Sequence, residues 1–183
     1  LTKKMFDEEG FYCIGDAGVF VDDNDPLQGI IFAGRVVEDF KLTTGTFVHV
    51  GSLRTDAIAA ATPAVHDALV AGQDREFIGL LAWPNLHACR QLVGNPDATF
   101  EDVIRHPDVI ACVKRGLEAH NASATGSSMR IARAMLMAEP PSIDGNELTD
   151  KGYINQRAGL ERRAALVEKL YADKPGEDVI ILN

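Results

Sequence analysis

Apolar residues fall in short runs through the first quarter of the chain and later recur every three to four positions, the pattern of strands followed by amphipathic helices. Strands are expected near 11–14 and 17–21, then an acidic turn through Pro26, then a strand near 29–33. That strand carries Ile30-Ile31-Phe32 and ends at Gly34; Arg35, Glu38, Asp39 and Lys41 crowd charge behind it, and Thr46-Phe47-Val48-His49-Val50 is strand-like again. Ser52 is placed to cap a short helix running to Ala61, with Leu53, Ala57, Ile58 and Ala61 on one face and Pro63 as its stop. Strands follow near 65–72 and 77–83. Asn85 can cap a helix carrying Leu86, Cys89, Leu92 and Val93, and another begins near Pro107 with Ile110, Val113 and Leu117 on one side. Residues 121–128 read as a small-polar loop, 129–137 as a strand with methionine as core filler, and Leu160, Ala164, Val167 and Tyr171 as the apolar face of a final helix. The helix faces predict an α+β fold, a small mixed sheet covered by helices.

Composition narrows the function classes. The 183 residues are 46% hydrophobic and 25% charged, enough to bury a core and ordinary for a soluble domain. A formal charge of −9 with only 18 scattered Lys and Arg argues against nucleic acid and against an anionic membrane surface. No apolar run reaches the roughly 20 residues of a membrane span. Leu1-Thr2-Lys3-Lys4-Met5 is neither a signal peptide nor an initiator methionine, so the protein's beginning is expected elsewhere. Cys13, Cys89 and Cys112 are odd in number and without C-x-x-C spacing, which predicts free thiols in a reducing, cytoplasmic compartment. No metal site is read: Asp22-Asp23-Asn24-Asp25-Pro26 lacks the glycine and closing glutamate of a calcium loop and reads as a turn. Asn121-Ala122-Ser123 matches a glycosylation acceptor and reads as a surface turn. The five histidines form no cluster, and His49 beside the glycine turn reads as a surface residue of a pleat.

Three stretches carry candidate chemistry. In Phe11-Tyr12-Cys13-Ile14-Gly15-Asp16 the aspartate sits at a tight strand junction. A carboxylate there can accept both hydroxyls of a ribose diol, or bond its own backbone as turn aspartates do. Gly34-Arg35-Val36-Val37-Glu38-Asp39-Phe40-Lys41-Leu42-Thr43-Thr44-Gly45 couples a strand, a charged pivot and a glycine turn. In Glu147-Leu148-Thr149-Asp150-Lys151-Gly152-Tyr153-Ile154 a loop lysine could bring a mobile ammonium to phosphate or carboxylate oxygens, or be solvated. Arg157, Arg162 and Arg163 with Glu161 and Glu168 read as a solvated helix face.

In this order, FDEEGFYCIGD, GRVVEDFKLTTGTFVHVGSLR and ELTDKGYINQRAGLERRAALVEKLY resemble the carboxyl-terminal part of the AMP-forming acyl-CoA synthetases, most closely the feruloyl-CoA synthetases. Long-chain fatty acyl-CoA synthetases and carboxylic acid reductases are cousins. The resemblance covers nearly the whole chain but only the last third of a typical family member, so the chain looks like a fragment. It implies that residues 1–36 end a large N-terminal domain and that 37–183 form a mobile C-terminal domain. It implies acyl-adenylate formation from ATP and a carboxylic acid, aromatic or otherwise, followed by thioester formation with coenzyme A. Mg²⁺ and most substrate contacts would lie in the missing large domain, and the fragment alone would be inactive. By the same resemblance Asp16 and Arg35 bind nucleotide, Lys151 is catalytic, Val37 and Glu38 form the hinge and Gly45 faces coenzyme A.

The chain departs from the family pattern in places. Val37 stands at the pivot where relatives carry aspartate or lysine, leaving the polar role to Glu38 or Asp39. The usual lysine place, four residues after the threonine, holds Tyr153, and Lys151 comes two after Thr149. Fatty acyl-CoA synthetase and reductase adenylation remain alternatives, as does a non-catalytic regulatory or interaction module.

Overall fold

Two neighbouring segments are apolar almost throughout, as strands buried on both faces must be. In the computed structural model, which describes residues 5–183, they are Val65–Ala71 and Ile78–Pro84, paired side by side in the main sheet. Leu1–Lys4, the start discussed above, lies outside the described residues.

In chain order, β1 (Asp16–Phe20) and β2 (Ile30–Arg35) form an antiparallel hairpin. A single 3₁₀ turn, Val36–Glu38, leads to the short pair β3 (Phe40–Lys41) and β4 (Phe47–Val48), then α1 (Val50–Ala60). There follow β5 (Val65–Ala71), β6 (Ile78–Pro84), α2 (Leu86–Val93), α3 (Phe100–Arg105), α4 (Pro107–Ser123), β7 (Ile131–Leu136), α5 (Gln156–Arg162), α6 (Ala164–Tyr171) and β8 (Val179–Ile181). The main sheet has the order β5-β6-β7-β8; β6 and β7 are parallel and the outer pairs antiparallel.

Alternation along the strands divides the core in two. Ala68, Val70, Ile78, Leu80 and Ala82 pack against α1 and α4 on one face, while Leu69, Leu81, Trp83 and Met135 pack under Leu170 of α6 on the other. Close helix–sheet and helix–helix approach depends on missing side chains. A Cβ on Gly159 would lie 2.7 Å from a Leu69 methyl, and one on Gly116 2.1 Å from the Ala60 carbonyl oxygen. The mixed α+β sheet covered by helices is as expected.

Several local expectations fail for identifiable reasons. Residues 11–14 form no strand; Tyr12 makes an isolated bridge to Phe6, because Asp7 folds the chain back by accepting from the Phe11 amide. Helix α1 starts at Val50 rather than after Ser52, since the Asp39 carboxylate accepts from the Val50 amide at 2.9 Å and caps it from a distance. His49 is therefore a helix N-cap residue and not part of a pleat. Helix α3 has a capping box, Thr99 with Asp102, that the apolar spacing did not reveal. Helix α4 runs through Asn121, whose buried amide pairs with both backbone groups of Ile131, so this asparagine lies on a helix and not in a surface turn. Met135 and Met137 are buried as core filler, but Met129 lies exposed ahead of β7. The last helix breaks at Arg163 into α5 and α6, and β8 completes the sheet. Cys89 and Cys112 are buried free thiols, with burial pushing Cys89 up to about 11 and Cys112 adding to it; Cys13 is exposed.

Candidate functional site

The hairpin leaves an edge of apolar side chains in solvent, and the chain turns back beneath it. Ile30, Ile31, Phe32, Val19 and Phe20 are all exposed, where an isolated two-stranded sheet would be marginal. A close backbone approach ties β2 to α1: a Cβ on Gly51 would lie 2.5 Å from the Gly34 Cα, and Gly34 itself has φ +108°. Only glycines permit that approach.

Where the hairpin, the 3₁₀ turn, α1 and the loop before α5 converge, a cavity of about 700 Å³ opens. It is lined by Asp16, Arg35 and Glu38 on one side, Ser52, Arg54 and Thr55 on the helix, and Thr149, Tyr153 and Asn155 on the loop. Asp16 and Arg35 are direct partners in the β1–β2 register. Gly15, at φ +81°, gives its carbonyl to the Val36 amide and so joins the aspartate's junction to the pivot turn. Glu38 is half-buried; burial raises its carboxyl above the usual range, Asp39 adds to this, and the nearby Arg54 and Arg35 charges only partly oppose it.

Of the residues singled out in the sequence, Asp16, Arg35 and Glu38 thus share one space. Lys151 does not line it. It sits exposed at the tip of a turn built from Thr149 to Tyr153, with Gly152 at φ +78°. Val37 is 83% exposed, in the middle of the 3₁₀ turn. Gly45 lies in a separate turn, φ +83°, closed by its amide donating to the Leu42 carbonyl. Among the described residues no group of three or more His, Cys, Asp or Glu is placed to hold a metal ion, and no helix is long and apolar enough to cross a membrane.

Three features escaped sequence reasoning. Arg54 reaches the cavity wall with Nη1 buried and without a hydrogen-bond partner among the described residues, its Nε 4.0 Å from Asp67. Asp39 has both oxygens engaged, one by the α1 amide and one by His49 Nδ1 at 3.0 Å. Arg163, read as solvated, is buried and paired with the fully buried Glu147. A legible signal existed for the last: Gln156, Gly159, Arg163, Val167 and Leu170 repeat at three-and-four spacing, one register from the stripe chosen, and place Arg163 on the inward face.

Burial pushes the Glu147 carboxyl up, but hydrogen bonds from Arg163 and the Ser142 amide, with the charges of Arg163 and Arg162, outweigh it and hold it below the ordinary range. That pair fastens the loop rather than facing the cavity.

Residues 50–175 match the family described as AMP-binding enzyme C-terminal domain. The chain is similar to a long-chain-fatty-acid–CoA ligase of Rattus norvegicus, 23% identical over 190 residues, covering 93% of this chain and 28% of that protein. Among solved structures it resembles the adenylation domain of a carboxylate reductase from Mycobacterium chelonae, TM-score 0.67 and 22% identity, over 94% of this chain and 25% of that one. It also resembles the A domain of a carboxylic acid reductase from Segniliparus rugosus, solved with AMP and a co-purified carboxylic acid. There the TM-score is 0.65 and the identity 23%, over 93% of this chain and 24% of that one. The chain spans about a quarter of the length of the relatives it matches.

Proposed function

Because this chain belongs to the AMP-binding enzyme C-terminal domain family, we propose that it is the lid of an ATP-dependent, AMP-forming carboxylic acid–CoA ligase acting on hydroxycinnamates such as ferulate. Residues 1–36 would close a large N-terminal domain and 37–183 would move about Val37 and Glu38. A carboxylate attacks the α-phosphate of ATP, giving acyl-adenylate and pyrophosphate; the sulfur of coenzyme A then displaces AMP. In the first step Asp16 accepts the ribose hydroxyls, Arg35 contacts the ribose or phosphate end, and Lys151 swings in to offset charge building on the transferring phosphate. In the second, rotation presents the Gly45 turn to the pantetheine arm. The ATP phosphates, Mg²⁺ and acid would be held by the large domain.

The observation that supports this reading is that Asp16, Arg35 and Glu38 share one cavity with Thr149, Tyr153 and Asn155, so that residues on both sides of the pivot meet around a space large enough for part of a nucleotide. The exposed apolar hairpin face suits continuation of a larger sheet. A second reading, fatty acyl or reductase-linked adenylation, is favoured by the rat ligase and the reductase adenylation domains among the matches. The acid is read from the motif wording alone.

The test is ATP–pyrophosphate exchange by the parent protein, wild type and Lys151→Ala, with ferulate, other hydroxycinnamates and fatty acids. Ferulate-driven exchange reduced about a hundredfold, on the order of 3 kcal/mol, is the expected result for a preorganised charge. Exchange driven by fatty acids selects the second reading. Exchange surviving Lys151→Ala removes the lysine's role, and failure of every acid to drive exchange favours a non-catalytic module.

A further inference from the structure

The Thr149–Tyr153 turn is short and solvent-exposed at its tip, yet its base is anchored by a buried ion pair. Glu147, which immediately precedes the strand-like bridge Leu148–Ile154, is 0% exposed. Its two carboxylate oxygens accept from Arg163 Nε at 2.7 Å and Nη2 at 3.0 Å, a forked pair, and one also accepts from the Ser142 amide at 2.8 Å. The Arg163 guanidinium lies 5.2 Å from the centre of the Trp83 ring on β6, and its Nη2 donates to the Pro140 carbonyl at 3.1 Å. Trp83 in turn donates from Nε1 to the Glu139 carbonyl at 2.9 Å.

The backbone continues the restraint outward. The Glu147 carbonyl accepts from the Asn155 amide at 2.8 Å, the Thr149 amide donates to Tyr153, and the Gly152 amide to Thr149. At the far end Gln156 bonds both backbone groups of Val70 on β5. Lys151 is four residues from the charge pair, at the end of this ladder.

A buried ion pair is a poor device for stability, because apolar groups of similar volume usually do as well or better. What a forked guanidinium–carboxylate pair supplies, and an apolar pair cannot, is direction. Here the direction it sets is that of the two chains leaving Glu147 and Asn155. We infer that Glu147 and Arg163 are positioning residues that aim the Lys151 turn, so that the first half-reaction depends on them and the second does not. The inference rests on the proposed role of Lys151.

The experiment compares wild-type parent protein with Arg163→Lys, which keeps charge and loses the fork, and with the apolar double variant Glu147→Leu/Arg163→Met. Four quantities are read: thermal midpoint, ATP–pyrophosphate exchange, coenzyme A-dependent AMP release from supplied acyl-adenylate, and trypsin cleavage after Lys151 followed by mass. In the double variant the midpoint stays within a few degrees, kcat for exchange falls tenfold or more with KM for ATP little changed, AMP release stays within twofold, and cleavage after Lys151 speeds tenfold or more. Arg163→Lys moves exchange and cleavage the same way. Unchanged exchange and cleavage in a double variant that keeps its midpoint would overturn the inference, as would equal loss in both half-reactions, which marks a purely structural pair. Should Lys151→Ala leave exchange unaltered, the catalytic lysine fails, while the aiming of the turn is still decided by the cleavage rate.

Discussion

Gly51→Ala separates conformation from stability in this chain. Gly51 lies in the first turn of α1 and meets Gly34 of β2; an added Cβ would stand 2.5 Å from the Gly34 Cα and 3.0 Å from the Ala33 carbonyl oxygen. Carbon–carbon contact is favourable near 3.5–4.0 Å, so the helix and strand must part by roughly 1 Å or more. Overpacking of this kind costs about 1–3 kcal/mol. Against it, alanine is a better helix former than glycine, by about 0.8–1.0 kcal/mol in a helix interior and by less in the first turn where Gly51 lies, so a helix free of the strand would gain. The two effects act on different states. On the proposed reading the clash would exist only where β2 and α1 touch, that is, in the arrangement that closes the cavity of Asp16, Arg35 and Asn155, whereas the propensity gain would exist in every arrangement.

On the proposed reading that arrangement serves adenylation, and rotation about Val37 breaks the glycine contact. A penalty of 1–3 kcal/mol shifts such an equilibrium about 5- to 150-fold. ATP–pyrophosphate exchange by the parent protein carrying Gly51→Ala should therefore slow by a factor in that range, while thioester formation from supplied acyl-adenylate holds or rises and the thermal midpoint does not fall. Exchange at the wild-type rate, or equal slowing of both half-reactions, would refute the reasoning. So would a lowered midpoint with no kinetic asymmetry, since it would mean the contact belongs to the folded state as a whole.

Two further predictions concern the fold. Gly159→Ala drives a Cβ into the Leu69 side chain at 2.7 and 2.9 Å, and should lower urea-denaturation stability by about 1–3 kcal/mol, recovered in part by Leu69→Val; full stability in the single variant would show that α5 can slide on the sheet. Glu147 has a folded-state carboxyl held below its unfolded value, so its contribution is fully present above the ordinary glutamate value of about 4.3 and is lost as pH falls through the lower folded value. Urea midpoints measured downward from pH 6 should drop steeply below that value in the wild type and less steeply in Glu147→Gln, and parallel curves would contradict the assignment.

Legibility in the sequence followed the physics of each element. Strands β5 and β6 were plain because burial on both faces leaves apolar runs that no helix period explains, and α4 because Val113 and Leu117 keep a helical stripe behind Pro107. Helix α3 was missed because its start is written in polar atoms, the Thr99–Asp102 box, rather than in hydrophobic spacing. The last helix was set one register off because its inward face carries Gln156, Gly159 and Arg163, whose partners, Val70, Leu69 and Glu147, lie elsewhere in the chain. The site shows the same division. Asp16, Arg35 and Glu38 could be named from local punctuation by glycine and charge, but the partners of Arg54 and Asp39, which are Asp67 and the start of α1, come near only in the folded chain.

The pivot itself can be argued from what is fixed on either side of it. Before it, Gly34 is packed on Gly51 and the Val36 amide is bonded to the Gly15 carbonyl at 3.0 Å. After it, Asp39 is anchored by the Val50 amide and by His49, its side chain only 4% exposed. Between these holds Val37 touches mostly solvent, and a valine there has neither charge nor hydrogen bond to give up when the backbone turns. On the proposed reading Asp39 would travel with α1 as its cap, so rotation at Val37 would leave the helix start intact but would break the glycine contact and the hydrogen bond from the Asp39 amide to the Val36 carbonyl, 3.3 Å. A single such bond contributes about 0.5–1.5 kcal/mol. On the same reading, holds of that size would suit a lid that occupies two arrangements in each turnover, and the half-buried Glu38 beside Arg54 and Arg35 would change its surroundings between them.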